Sequence, residues 1–230
     1  MSYQGFELDS NGICSTLWDT PIGSLWSNCE NLCWVKWFLK EQLEEKVYDC
    51  FDPAKVKPGD VVIDVGAHIG TFTRFALKRD ARLVIAFEPD QDLIILFKQN
   101  FEKEIRSKKV ILIEAAAWDS PGTLKFITME GTSSASRVNN AGEIEVPAIT
   151  IDDTIKSLEL DRVDFIKMDI EGAERNAVAG ASKTISHSRP RMALSIYHLE
   201  DDPDVIPALV LDAYQDYKIE QTKKVAFFFE

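Results

Sequence analysis

The chain has 230 residues, 26 basic and 38 acidic, with a formal net charge of −12. That length makes one large domain, or one domain with an extension, and 45% hydrophobic with 28% charged residues excludes wholesale disorder. The acidic balance argues against a duplex nucleic-acid binder, which needs a cationic footprint. No run approaches the ~18 apolar residues of a membrane span, and the opening MSYQGFELDS has neither the basic nor the apolar part of an export signal, so a cytoplasmic protein is expected.

Residues 1–57 show no alternation of strands and helices. Four of the five tryptophans (Trp18, Trp26, Trp34, Trp37) and all four cysteines (Cys14, Cys29, Cys33, Cys50) fall here. Without an export signal the cysteines read as reduced thiols. Cys29 and Cys33 share a helical face, but Cys14 and Cys50 have no near partner, so a zinc ribbon with its two close pairs is not expected. Between 31 and 48, Leu32, Val35, Phe38, Leu39, Leu43 and Val47 recur at helical spacing. The segment reads as an aromatic-rich helical extension, packed on the main domain or serving as a lid over a cleft.

From Pro58-Gly59-Asp60 onward the pattern changes. VVIDVG (61–66) is an apolar, β-branched strand, followed by a helix over 71–79. LVIAFEPD (83–90) is the second strand, a helix spans 91–105, and VILIEAAAW (110–118) is the third strand. TLKFIT (123–128) and EIEVPAIT (143–150) are short strands flanking a loop rich in Ser, Thr and Asn. A helix covers 151–158, VDFIKMDIEG (163–172) is the fourth main strand, a helix covers 173–185, and MALSIYH (192–198) is the fifth. A last helix near 204–214 and a hairpin formed by YKIEQ and VAFFFE close the chain. Continuously apolar strands alternating with helices predict an α/β fold, a parallel sheet with helices on both faces. In such sheets ligands bind beyond the carboxyl ends of the strands. That rule selects Asp64, Gly66, Glu88, residues 115–118, Asp169, Glu171 and His198.

A dinucleotide loop wants G-x-G-x-x-G so that backbone approaches pyrophosphate. Here the second glycine position is His68, the glycines Gly66 and Gly70 are four apart, and the acidic Asp64 precedes them. A cationic ligand without phosphate, S-adenosylmethionine, fits better: Asp64 neutralises its amino-acid end, Gly66 permits close approach, and Glu88 accepts from vicinal ribose hydroxyls.

VVIDVGAHIGTFTRFA followed by AFEPD resembles the class I S-adenosylmethionine-dependent methyltransferases. Within them the AAAW segment, the IKMDIEGAE block and SIYH resemble the FkbM family, over about residues 43–200. The resemblance implies a Rossmann-like fold, a seven-stranded mostly parallel sheet with a C-terminal antiparallel strand, in a domain of residues 58–230. It also implies methyl transfer to a hydroxyl oxygen. Carried over, it places Asp64, Gly66, His68 and Gly70 at the methionine end, with Thr71 and Phe72 close by. Glu88 holds the ribose, beside Pro89 and Asp90. Ala116 and Ala117 flank the adenine, and Trp118 either walls the pocket or packs in the core.

An alcohol acceptor must lose its proton, so a base within reach is expected. Asp169, Glu171 and His198 should converge at the reacting centre. His198 is the expected base, since its ordinary pKa suits neutral pH. The same group offers ligands for Mg²⁺ or Mn²⁺, but the preferred expectation has no metal: Asp169 takes the donor's ammonium while Glu171 and Gly172 cap the next helix. The loop 132–136 with Arg137 offers hydrogen bonds to a polyhydroxyl acceptor, and His187 reads as surface. The expected function is O-methylation of a sugar or other small hydroxylated metabolite by a monomer or homodimer. A non-catalytic S-adenosylmethionine binder and an NAD-dependent oxidoreductase are the alternatives.

Overall fold

The computed structural model describes residues 2–8, 14–28, 36–37, 39–128, 136–139 and 141–230. The first three strands, β1 (Ser2–Leu8), β2 (Cys14–Thr20) and β3 (Gly23–Asn28), form an antiparallel meander. This differs from the expected helical extension. Leu17 pairs with Trp26 and Trp18 with Leu25 across the β2–β3 register. The helix predicted over 31–48 is represented among the described residues by a π-helical turn, Lys40–Glu44; residues 31–35, with Leu32, Cys33, Trp34 and Val35, lie outside the description, as does Cys29. Cys50 is an exposed free thiol.

The main domain contains β4 (Val61–Val65), α1 (Thr71–Lys78), β5 (Leu83–Phe87), α2 (Gln91–Asn100), α3 (Glu102–Arg106) and β6 (Val110–Ile113). Next come β7 (Ala116–Ala117), β8 (Gly122–Ile127), β9 (Arg137–Val138), β10 (Ile144–Ile149) and α4 (Ile151–Ser157). The remainder is β11 (Phe165–Met168), α5 (Glu174–Ala179), α6 (Ser182–Ser188), β12 (Arg191–Ser195), α7 (Asp202–Ala213), β13 (Lys218–Gln221) and β14 (Val225–Phe229). Seven strands make the central sheet in the order β13-β14-β12-β11-β4-β5-β6. Its four inner pairings from β6 to β12 run parallel, and β14 is antiparallel to β12 and to β13.

Both faces of the sheet are covered, which is why its strands are apolar at successive positions. Val61, Ile63 and Val65 face α4 to α7 through Ile151, Ile155, Val178, Ile185, Ile206 and Val210. Val62, Val84 and Ala86 face α1 to α3 through Phe72, Phe75, Phe97 and Phe101, together with Tyr48, Ala54 and Val56 of the N-terminal segment. The third predicted strand divides. After Ile113 the chain leaves the central sheet, and Ala116–Ala117 pairs instead with β10 in a four-stranded sheet, order β7-β10-β8-β9. Ala116, Phe126 and Val146 form that sheet's small core.

The strand order reverses direction at β4, with β5 on one side and β11 on the other. A crevice opens at the carboxyl ends of these three strands.

Candidate active site

The loop from β4 to α1 builds the floor of this crevice. Gly66 and Gly70 have φ of +77° and +93°, and His68 is also left-handed at +54°. A Cβ on Gly66 would lie 2.0 Å from the Asp169 carbonyl oxygen, so the loop packs against the end of β11 only with glycine there. Gly70 is a glycine for another reason: a Cβ there would meet the Phe101 ring at 2.0 Å.

Glu88 follows β5 and faces the cavity. One carboxylate oxygen accepts from the His68 backbone N–H at 2.7 Å, the other from that of Asp90 at 3.0 Å. Burial, only partly opposed by these donors, pushes its pKa up to about 7. Pro89, Leu93, Ala115, Ala116, Ala117 and Phe126 extend this end of the cavity as a narrow apolar slot.

The other end is polar. Lys167 and Asp169 come from β11 and the turn after it, Thr71 and Phe72 from α1, Tyr197 from the loop after β12. Glu41, Gln42 and Tyr48 reach in from the N-terminal segment. The Tyr48 hydroxyl donates to Asp169 at 2.7 Å, and the Tyr197 hydroxyl lies 3.5 Å from the same carboxylate. Burial alone would raise the pKa of Asp169, but Lys167, His198 and the hydrogen bonds from Tyr48 and Ser195 outweigh it and hold it low. Glu171 lines the cavity in a left-handed conformation, φ +55°, and burial raises its pKa. Arg137, with Ser136, lines the mouth from β9; the rest of the 132–136 loop lies outside the described residues. Trp37 lines the mouth as well, 41% exposed.

Gly66, His68, Thr71, Phe72, Glu88, Pro89, Ala116, Ala117, Asp169 and Glu171 all line one cavity. Five predicted residues stand elsewhere. Asp64 is fully buried: the β4–β11 register sets it opposite Lys167, whose Nζ is 3.2 Å from its carboxylate, and Thr73 donates to it at 2.7 Å. Its carboxylate pairs with that lysine behind the loop and is not among the groups that line the cavity. Gly70 serves helix packing. Asp90 caps α2, accepting from the backbone N–H groups of Asp92 and Leu93. Trp118 does not wall the cavity either.

His198, the fifth, lies outside the cavity lining, with its side chain 7% exposed. Its Nδ1 is 3.0 Å from Glu174, and its Nε2 is 3.5 Å from Asp169 and 3.7 Å from Glu171. Burial lowers its pKa, but the Glu174 hydrogen bond and the three carboxylate charges outweigh this and push it up to about 9. That direction favours the imidazolium at neutral pH and makes the ring a poor acceptor for a proton. His68 is the opposite case: burial and nearby Lys167 push it down to about 3, so it is neutral. Asp169, Glu174 and His198 each offer a ligand atom within 4.8 Å of the others. Glu174, not the expected Glu171, completes that group, and its oxygens also accept from the Ile170 and Gly172 backbone N–H groups.

Sequence reasoning missed Gln42, Tyr48, Lys167 and Tyr197. Lys167 and Tyr197 sit inside the IKMDIEGAE and SIYH blocks, and their nearness to strand ends is the signal that points to them. Gln42 and Tyr48 carry no such signal, because only tertiary packing brings their segment to the crevice.

A 26% identical relative, over 58% of this chain and 62% of its own length, is the 2-O-methyltransferase NoeI of Sinorhizobium fredii. Another, 25% identical over 67% of this chain and 62% of its own length, is the hexuronic acid methyltransferase AglP of Haloferax volcanii. The chain therefore spans about three-fifths of the length of these curated relatives. The crystal structure of methyltransferase FkbM from Methylobacillus flagellatus shares the fold, with a TM-score of 0.59, at 23% identity over 76% of this chain and 44% of that one. Residues 64–219 match the profile of the methyltransferase FkbM domain, and the chain belongs to that family.

Proposed function

We propose that this protein is an S-adenosylmethionine-dependent methyltransferase acting on a hydroxyl of a sugar or another small hydroxylated metabolite. One observation carries the reading: Glu88, ending β5, faces the same crevice as the glycine turn after β4, beside an apolar slot of Ala115, Ala116, Ala117 and Phe126. A carboxylate accepts two hydroxyls of a ribose, small residues admit a flat ring, and no phosphate-binding glycine spacing is present. The 2-O-methyltransferase among the relatives supports an oxygen acceptor, and the hexuronic acid methyltransferase supports a sugar-like one.

The donor, when bound, supplies an activated methyl group on a sulfonium. The protein's task is alignment, which is a large proximity contribution, and removal of the acceptor's proton. Asp169, held ionised by Lys167, His198 and Tyr48, balances the positive charge of the donor's methionine end. Glu171 is the proposed base. It lines the cavity, and burial raises its pKa toward the range where a carboxylate takes a proton effectively. His198 acts through Asp169 and Glu171, holding both carboxylates in place as a buried cation. With the Glu174 oxygens occupied by backbone N–H groups and the His198 ring, the reading without Mg²⁺ or Mn²⁺ is preferred.

The test is transfer of a labelled methyl group from the donor to a panel of glycosides, with and without excess EDTA. An O-methylated product formed equally in both is expected. Donor binding without any transfer would reduce the protein to a binder, and loss in EDTA would restore the metal. Glu171→Gln should lower turnover by about a hundredfold or more with donor affinity near normal. Full turnover in that variant would remove Glu171 as base.

A further inference from the structure

Gln42 belongs to the π-helical turn Lys40–Glu44, upstream of the residues that match the family profile. Its side chain lines the polar end of the cavity with only 8% exposure. The amide nitrogen donates to Thr71 Oγ1, at the start of α1, at 3.1 Å. The amide oxygen, Oε1, is shielded from solvent and has no hydrogen-bond partner among the described residues. A buried carbonyl left so carries an unreturned desolvation cost, which an incoming donor would remove.

The protein's own nearby donors are committed elsewhere. Lys167 Nζ donates to the Val65 and Gly66 carbonyls and pairs with Asp64. The Tyr48 hydroxyl donates to Asp169. Asp169, Glu41 and Glu171 line the same cavity as carboxylates, and Arg137 lines it as a further cation. An N–H donor bearing positive charge would satisfy the orphan oxygen and be attracted by the acids. Thr71, at the start of α1, fixes where that donor would lie: beside the residue that follows the glycine turn.

We infer that Gln42 Oε1 is a binding group for the α-ammonium of the methyl donor, with Asp169 as its counter-charge. The inference rests on the S-adenosylmethionine reading of the site. It makes the N-terminal segment part of the cofactor site.

Titration calorimetry with two ligands separates this role from a structural one. S-adenosylhomocysteine carries the amino-acid end; 5′-methylthioadenosine lacks it. Gln42→Leu should weaken S-adenosylhomocysteine about tenfold and leave methylthioadenosine within about twofold. Gln42→Glu keeps the shape and an acceptor oxygen, and should bind S-adenosylhomocysteine at least as well as the parent. Methylthioadenosine binding also reports that each variant is folded. Equal weakening of both ligands, an unchanged S-adenosylhomocysteine affinity in Gln42→Leu, or a loss in Gln42→Glu matching that in Gln42→Leu would each overturn the assignment. A parent protein that binds neither nucleoside would overturn the donor reading itself.

Discussion

Three carboxylates, Asp169, Glu171 and Glu174, surround the one imidazole of His198, and that arrangement decides which residue can move a proton. Residue type suggested a histidine base; the fold makes it a cation. Its folded pKa near 9 lies above the ordinary 6.5, so folding favours the protonated ring. The stabilisation is therefore complete below pH 6.5 and lost as the pH rises through 9. His198→Gln should be less stable than the parent by on the order of 3 kcal/mol at pH 6, and the gap should close by pH 10, as denaturant titrations at several pH values would show. A constant gap would mean that packing, not charge, gives His198 its role. Glu88 has the reverse sign. Its folded pKa near 7 exceeds the ordinary 4.5, so ionisation becomes progressively harder to accommodate as the pH rises from 4.5 to 7, and stability falls over that window. Ribose hydroxyls reward the ionised form. S-adenosylhomocysteine should therefore bind up to about tenfold more tightly at pH 8 than at pH 6, a slope absent in Glu88→Gln.

At the scale of elements, α2 joins the N-terminal meander to the loop that floors the crevice. Asn100, its last residue, accepts from the Trp26 backbone N–H at 2.6 Å and donates to the Trp26 and Ile69 carbonyls at 3.1 and 2.8 Å. Ile22, Leu25, Leu39, Ile69, Leu93 and Leu96 pack beneath these bonds. Asn100→Ala should cost about 2 kcal/mol, because it leaves partly buried backbone groups unpaired. Hydrogen exchange should accelerate in β3 before it does in β4; exchange rising first in the central sheet would contradict this docking role. The parallel strands were legible because burial on both faces makes them apolar runs, and α1 and α2 because a glycine turn and an Asp cap announce them. The meander was not. CSTLWDT and GSLWSN are mixed in polarity, and the Pro21–Gly23 turn between them was the one available signal. The division of residues 110–118 between two sheets was hidden for a different reason: continuous apolarity does not reveal which sheet a strand joins. The burial of Asp64 was not legible because its partner Lys167 lies more than one hundred residues along the chain, paired only through the β4–β11 register.

Across the whole molecule, the site draws on residues from Trp37 to Tyr197, and its two ends are tied together. Lys224, in the hairpin between β13 and β14, reaches Glu41 Oε1 at 2.8 Å and lies 5.3 Å from the Trp37 ring centroid. Glu41 is 4% exposed, and burial raises its pKa even with the lysine beside it. Removing Lys224 would leave that acid without its cation, so the turn holding Gln42 would lose its anchor. Lys224 is itself 41% exposed, which screens the pair. A double-mutant cycle of Glu41→Gln and Lys224→Met should therefore give a coupling of about 1 kcal/mol in stability. The larger effect should fall on binding: Lys224→Met should raise the Kd for S-adenosylhomocysteine several-fold, while adding Glu41→Gln restores part of the loss by removing the unpaired charge. Wild-type affinity in Lys224→Met would show that the N-terminal wall holds its place through the core contacts of Tyr48 and Leu39 alone.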